Sequence, residues 1–124
     1  MHPDLLSLQK AAEGLYIISE TDAALEAFSI ATDVPIDDAL RQLCAEPPDV
    51  AVEIREAFPF LENQQRMHNE GPDGARFQAL CTSLQQTLTG LQLYRLGDIS
   101  IHAFLLGTLS DGTRGGLRTR LVET

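Results

Sequence analysis

The sequence has few basic residues, only two cysteines, no tryptophan and no long hydrophobic run. No stretch approaches the roughly 18 uninterrupted apolar residues of a membrane-spanning helix, so no membrane span is expected. Residues 1–4 lack the basic and apolar regions of a signal peptide, which favours a cytoplasmic protein. Cys44 and Cys81 are not a closely spaced ligand pair, and we expect buried free thiols in a reducing compartment. A disulfide and a catalytic thiol are the alternatives.

The shortage of positive charge is uneven along the chain. Nine basic and 18 acidic side chains give a formal net charge of −9. Residues 1–74 hold 15 acidic and 4 basic side chains, a net charge of −11. Residues 75–124 hold 3 acidic and 5 basic side chains, a net charge of +2, and the two parts sum to −9. Phosphate is contacted by Lys and Arg, so direct binding to nucleic acid is not expected. An acidic surface suits docking on a protein that binds nucleic acid. The alternative is that the acidic residues only keep a small domain soluble.

Motifs of known catalytic and metal sites are also missing. His2, His68 and His102 lack the spacing of zinc ligands, and there is no G-x-S-x-G elbow, phosphate loop or dinucleotide fingerprint. We therefore expect no enzyme, no cofactor and no intrinsic metal site. A small hydrolase that pairs His68 or His102 with Cys44 or Cys81 is the remaining enzymatic alternative.

Helical patterns occupy three segments. Residues 3–13 begin with a proline, repeat apolar residues at helical spacing and are followed by a glycine. Residues 36–44 carry two aspartates at the positive end of a second helix. The best helix follows Asp73, a suitable N-cap, and has an apolar stripe that reaches Leu88. The polar stretch before it, residues 62–73, is predicted to be a loop.

Strand patterns dominate the end of the sequence. Residues 15–18 form an uninterrupted apolar run, which predicts a short strand covered on both faces. Residues 50–54 alternate like a half-buried strand, and residues 23–32 are ambiguous between helix and strand. From residue 91 the period changes to two and continues to Thr124, with a turn at residues 110–113.

Gly112 and the pair at residues 115–116 are explained as turn or bulge positions. Tyr94 and Arg95 are predicted to be structural, with the ring on the core and the guanidinium bound to a carbonyl or carboxylate. Helices interleave with antiparallel hairpins, so residues 1–124 are expected to form a single domain with layers of helix around a largely antiparallel or mixed sheet.

Three segments of the sequence are similar to segments of a known family and occur in the same order along the chain. Residues 14–21 read GLYIISET, Val52-Glu53-Ile54 is followed by Phe58, and residues 93–99 read LYRLGDI. The chain then continues to the ending LVET. Taken together, these segments resemble the nuclease A inhibitor family, small acidic proteins that block a secreted, sugar-nonspecific, magnesium-dependent nuclease. The resemblance implies an α+β fold arranged as a three-layer α/β/α sandwich.

The resemblance also implies a partner-binding site. A glutamate in the family's Ser-Glu motif and a C-terminal threonine approach the nuclease's metal centre, and they correspond here to Glu20, flanked by Ser19 and Thr21, and to Thr124. In the family, the loop before the long helix supplies acidic and tryptophan contacts. The corresponding loop here, residues 64–74, offers Glu70 and no tryptophan.

This site has a physical rationale. A carboxylate on a rigid turn can occupy the place of a phosphate oxygen at magnesium without offering a scissile bond. If the strand at residues 15–18 neighbours the last strand, their ends bring Glu20 close to the α-carboxylate of Thr124. The alternative interpretations are that Glu20 is an ordinary turn or capping residue and that the protein is an acidic interaction module with a non-nuclease target.

Overall fold

The computed structural model describes residues 2–123, and within them the chain forms four helices and seven strands. The helices are α1 (Pro3–Ala12), α2 (Ile36–Leu43), α3 (Ala57–His68) and α4 (Gly74–Thr87). The strands are β1 (Tyr16–Ile18), β2 (Asp22–Ala24), β3 (Glu26–Ile30), β4 (Val52–Glu56), β5 (Thr89–Leu96), β6 (Ser100–Thr108) and β7 (Arg114–Val122). None of the described helices has the length and apolarity needed to cross a bilayer.

The main sheet has five strands in the order β3-β7-β6-β5-β4, and every neighbouring pair is antiparallel. Strands β1 and β2 form a separate antiparallel hairpin. Two tight turns connect β5, β6 and β7 into a meander, so the predicted β-region at the end of the sequence forms the centre of the sheet. The fold is α+β with an antiparallel sheet, as expected.

Both faces of the sheet are covered by helices. Helices α1, α3 and α4 pack on one face against inward residues such as Leu93, Leu105 and Leu117. Helix α2 packs on the other face, where Leu40 meets an edge-to-face pair of Phe28 and Phe104 with ring centroids 5.1 Å apart. Because side chains alternate along a strand, successive residues of β6 serve the two cores in turn, which makes three layers.

The helix predictions at residues 3–13 and after Asp73 are confirmed. In α1, proline occupies the first turn, the His2 ring accepts a hydrogen bond from the Asp4 main-chain N–H at 3.0 Å, and Leu8 is fully buried. In α4, buried residues follow the predicted apolar stripe, although the Asp73 side chain makes no capping hydrogen bond. Burial of a continuous apolar stripe makes these helices the easiest elements to predict.

The predicted loop at residues 62–73 is wrong for its first half. Residues 62–68 belong to α3, and the turn begins only at Asn69. Helix α3 buries Ala57, Leu61, Gln64 and His68 on one face. Two of these four buried positions hold polar side chains, and both lie in the stretch predicted as a loop, so the helical period there is present but not hydrophobic.

Two smaller predictions also need correction. Strand β1 is not covered on both faces, because Tyr16 is 48% exposed whereas Ile17 is buried. The glycine pair at residues 115–116 lies in regular pairing inside β7 rather than in a turn or bulge. A Cβ on Gly116 would overlap the carbonyl oxygen of Leu105 on the neighbouring strand, so close strand approach explains this glycine. Gly112 does lie in the β6–β7 turn, with φ +88°.

Candidate functional site

The turn that follows β1 is closed by its own side chains. The Ser19 main-chain N–H donates to the Thr21 carbonyl oxygen at 3.0 Å, and the Ser19 hydroxyl donates to the same oxygen at 2.9 Å. The Ser19 hydroxyl oxygen also accepts from the Thr21 N–H at 3.4 Å. Glu20 is at the tip of this turn and is exposed, as is Thr21. The backbone under the Glu20 carboxylate is therefore fixed.

The same turn is attached to the end of β7. The Val122 N–H donates to the Ser19 hydroxyl oxygen at 3.1 Å, and the Glu20 N–H donates to the Val122 carbonyl oxygen at 3.2 Å. The next N–H, that of Glu123, donates to the Ile99 carbonyl oxygen at 2.9 Å. The predicted proximity of the two strand ends is thus confirmed as far as Val122. Thr124 lies outside the described residues, and its place beside Glu20 stays a prediction.

Helix α3 holds β1 through two buried polar side chains, Gln64 and His68, which the sequence patterns did not identify. The Gln64 side chain accepts from the Ile18 N–H at 2.9 Å and donates to the Ile18 carbonyl oxygen at 2.7 Å. The His68 Nε2 lies 2.7 Å from the Tyr16 carbonyl oxygen, and the ring stacks on Phe77 at 4.4 Å. Gln64 and His68 are spaced i, i+4, and this spacing was the one sign in the sequence that they share a helical face.

A buried arginine holds the residue after β7. Arg95 on β5 is 8% exposed and donates two hydrogen bonds to the Glu123 carboxylate, at 2.7 and 3.1 Å. These hydrogen bonds lower the pKa of Glu123 from its ordinary value. The prediction that Arg95 binds a carboxylate is confirmed, and Tyr94 beside it is buried in the core.

A cleft of about 870 Å³ opens between this turn, α3 and the strand ends of the sheet. Its lining includes the apolar side chains of Phe60, Met67 and Leu121. The charged residues that line it are Glu20, Glu56, Glu123, Arg55 and Arg95. Arg95 is paired with Glu123, and Arg55 contacts Glu53. The cleft therefore combines apolar with charged side chains, and the two arginines that line it are paired with acidic groups.

The predicted site residues are brought together only in part. Ser19 and Glu20 line the cleft, and Thr21 closes their turn. Glu70 lies in the turn after α3, where its N–H donates to the Met67 carbonyl oxygen at 3.3 Å. Glu70 does not line the cleft, whose α3 wall ends at Met67 within the described chain.

The enzymatic alternative depends on Cys44, Cys81, His68 and His102. Cys44 and Cys81 are free and half-buried rather than fully buried, and burial raises the pKa of Cys81 to about 11 and raises that of Cys44. Burial lowers the pKa of His102, whose Nε2 is 3.8 Å from a Glu46 carboxylate oxygen. Residues 2–123 contain no cluster of three metal-ligating side chains. Nothing in this part of the chain pairs a thiolate with a base.

Comparison with known proteins identifies one family. The model of a family described as nuclease A inhibitor-like protein matches residues 4–124, nearly the whole sequence. No curated protein matches the chain. The family match spans the turn at Glu20, the cleft and the end of β7.

Proposed function

The chain belongs to the nuclease A inhibitor-like family, and on that premise we propose that it inhibits a magnesium-dependent, sugar-nonspecific nuclease by occupying its active site. In this proposal Glu20 is the principal contact, and Thr124 lies beside it. Ser19 and Thr21 position the turn, and Glu70 contacts the nuclease outside the cleft. The protein itself holds no cofactor and no metal, and it acts in the cytoplasm.

The observation that carries this proposal is the attachment of the Glu20 turn to the end of β7. Two hydrogen bonds join the turn to Val122, and two more from the Gln64 side chain fix the strand before it. A carboxylate on such a turn loses little conformational freedom on binding, because the backbone is already ordered. Preorganisation of this kind is what an active-site inhibitor needs.

The proposed mechanism follows from the chemistry of nuclease sites. Such a site presents magnesium and cationic groups arranged to bind phosphate, and magnesium prefers carboxylate and phosphate oxygens. The Glu20 carboxylate takes the place of a phosphate oxygen, and there is no scissile ester behind it. The acidic surface, with a net charge of −9, raises the rate of encounter with a basic nucleic-acid cleft.

Titration of a purified magnesium-dependent, sugar-nonspecific nuclease tests the proposal. Replacing Glu20 with glutamine should raise the inhibition constant about 30-fold or more, since losing one member of a buried charge contact costs about 2–5 kcal/mol. Glu62→Gln is the matched control, because Glu62 is exposed on α3 and does not line the cleft. Deleting Thr124 should also weaken inhibition.

Thermal unfolding of every variant separates loss of contact from loss of fold. If Glu20→Gln inhibits as well as the parent protein, Glu20 is not the active-site contact. If the parent inhibits no nuclease of this class but captures another protein through the Glu20 face, the protein is the alternative interaction module and the inhibitor proposal fails.

A further inference from the structure

The two edges of the five-stranded sheet differ in their protection. The outer edge of β3 is blocked by a side chain from α1. Gln9 accepts a hydrogen bond from the Ala27 N–H at 2.8 Å and donates to the Leu25 carbonyl oxygen at 3.4 Å. A glutamine amide here takes the place of a further strand, which is one way to keep a sheet edge from pairing with another chain.

The opposite edge, β4, has no such protection. Strand β4 pairs with β5 alone, and its residues 53–56 are all exposed. Within residues 2–123, no side chain or loop is hydrogen-bonded to the main chain of residues 52–55 beyond its pairing with β5, and Glu56 is the N-cap of α3. Ile54, at the middle of the strand, is 50% exposed, and Phe58 just after the strand is 48% exposed.

The charges of β4 are arranged so that the strand is complementary to itself. Glu53 and Arg55 flank Ile54 and lie on the same face of the sheet, where they contact each other. In an antiparallel pair of β4 strands with Ile54 opposite Ile54, Glu53 of each copy faces Arg55 of the other. Opposite charges in directly facing positions stabilise a strand pair, whereas like charges there destabilise it. Charged side chains on an edge strand can discourage pairing, but in this antiparallel register each charge of β4 meets an opposite one.

We propose that β4 pairs antiparallel with β4 of a second copy of this chain, which joins two five-stranded sheets into one continuous sheet about a two-fold axis at Ile54. Such an interface is isologous, because each copy contributes the same surface. The exposed Ile54 side chains meet at the axis, and two Glu53–Arg55 pairs flank them. Arg55 and Glu56 of this strand also line the cleft beside Glu20. The proposal is nevertheless independent of nuclease inhibition, because its test uses the chain alone.

Sedimentation equilibrium of the full chain over a concentration series tests the proposal. The parent should show a concentration-dependent dimer. Arg55→Glu should lower the dimer affinity about tenfold or more, because both attractive pairs become repulsive. Arg66→Glu is the matched control, since Arg66 is exposed on α3 and its replacement changes the net charge equally. This control should dimerise like the parent.

A mixing experiment makes the test specific for the register. Arg55→Glu and Glu53→Lys should each dimerise more weakly than the parent when alone, but together they should form a one-to-one dimer, because opposite charges then face each other at all four positions. Circular dichroism establishes that both variants are folded. In the parent dimer, hydrogen exchange should slow at residues 52–56.

Several results would overturn the proposal. These are a parent that stays monomeric throughout the series, an Arg55→Glu variant that dimerises as well as the parent, and folded variants that do not combine on mixing. Slowed exchange at β4 only in the presence of a nuclease would assign this edge to a strand of the partner nuclease instead of a second copy.

Discussion

Replacing Arg95 with methionine is expected to loosen the end of β7 and to destabilise the protein in a pH-dependent way. Arg95 is buried, and its guanidinium makes two short hydrogen bonds to the Glu123 carboxylate, whose side chain is 48% exposed. Methionine retains much of the apolar volume of the arginine stem but none of its donors. The substitution therefore isolates the charged contact from packing.

The magnitude follows from the exposure of the two partners. A hydrogen bond to a charged group contributes about 1.5–3 kcal/mol when it is shielded, and an exposed ion pair contributes about 0–1 kcal/mol. One partner here is buried and the other is half exposed, so we expect a loss of about 1–2 kcal/mol in the free energy of unfolding at neutral pH.

The pH dependence has a definite sign. Hydrogen bonds from Arg95 lower the pKa of Glu123 below its ordinary value of 4.5 in the folded state. The stabilisation is therefore complete above that ordinary pKa and is lost as the pH falls through the lower, folded-state pKa. The difference in stability between the parent and Arg95→Met should shrink in acid.

Urea unfolding of both proteins at neutral and at acidic pH measures this difference directly. Arg66→Met provides the matched control, because Arg66 is exposed and, among residues 2–123, its side chain bonds only to Asn63 on the same helix. A difference of the same size at both pH values would refute the assignment of the stabilisation to ionised Glu123. Equal stability of the parent and Arg95→Met at neutral pH would show that the contact contributes nothing.

The remaining predictions concern packing, the support of β1 and the thiols. Gly116→Ala should destabilise the fold by about 2 kcal/mol or more, measured by thermal unfolding, because the added Cβ would overlap the Leu105 carbonyl oxygen. Gln64→Ala should cost about 2 kcal/mol in urea unfolding, since it leaves the Ile18 N–H and carbonyl without their partner; a fully stable variant would contradict the support role. Cys81, with a pKa of about 11, should react with iodoacetamide at neutral pH far more slowly than free cysteine, as followed by mass spectrometry.

Sequence patterns predicted an element well when its buried face was apolar. The stripe in α4 and the period-two pattern of β6 and β7 gave the right structures, because burial of leucine and phenylalanine imposes the period on the residue types. The second half of helix α3 was not predicted, because the polar residues Gln64 and His68 occupy its buried face. Residues 23–32 stayed ambiguous because β2 and β3 are short strands, whose pairing with β1 and β7 favours an extended backbone over the local preference for helix.

The candidate site also has parts that the sequence predicted and parts that it did not. The Ser19–Glu20 motif was found from the sequence through its resemblance to a family, and Arg95 was identified as structural. The cleft could not be found from the sequence, because its walls come from β1, β4, α3, β5 and β7, most of which are distant along the chain. Nor could the sequence place Glu70 away from the cleft, since that depends on the length of α3.

By itself, the sequence determined the class of fold, the acidic net charge, the absence of known catalytic motifs and the family, because these depend on residue types and local periods. Only the tertiary structure decided that Val122 holds the Glu20 turn and Gln64 the strand before it, that Arg95 reaches Glu123, and that one sheet edge is blocked while the other is open. Such contacts join residues that are far apart in sequence, and hydrogen-bond partners at that range are selected by the packing of the layers rather than by any local pattern.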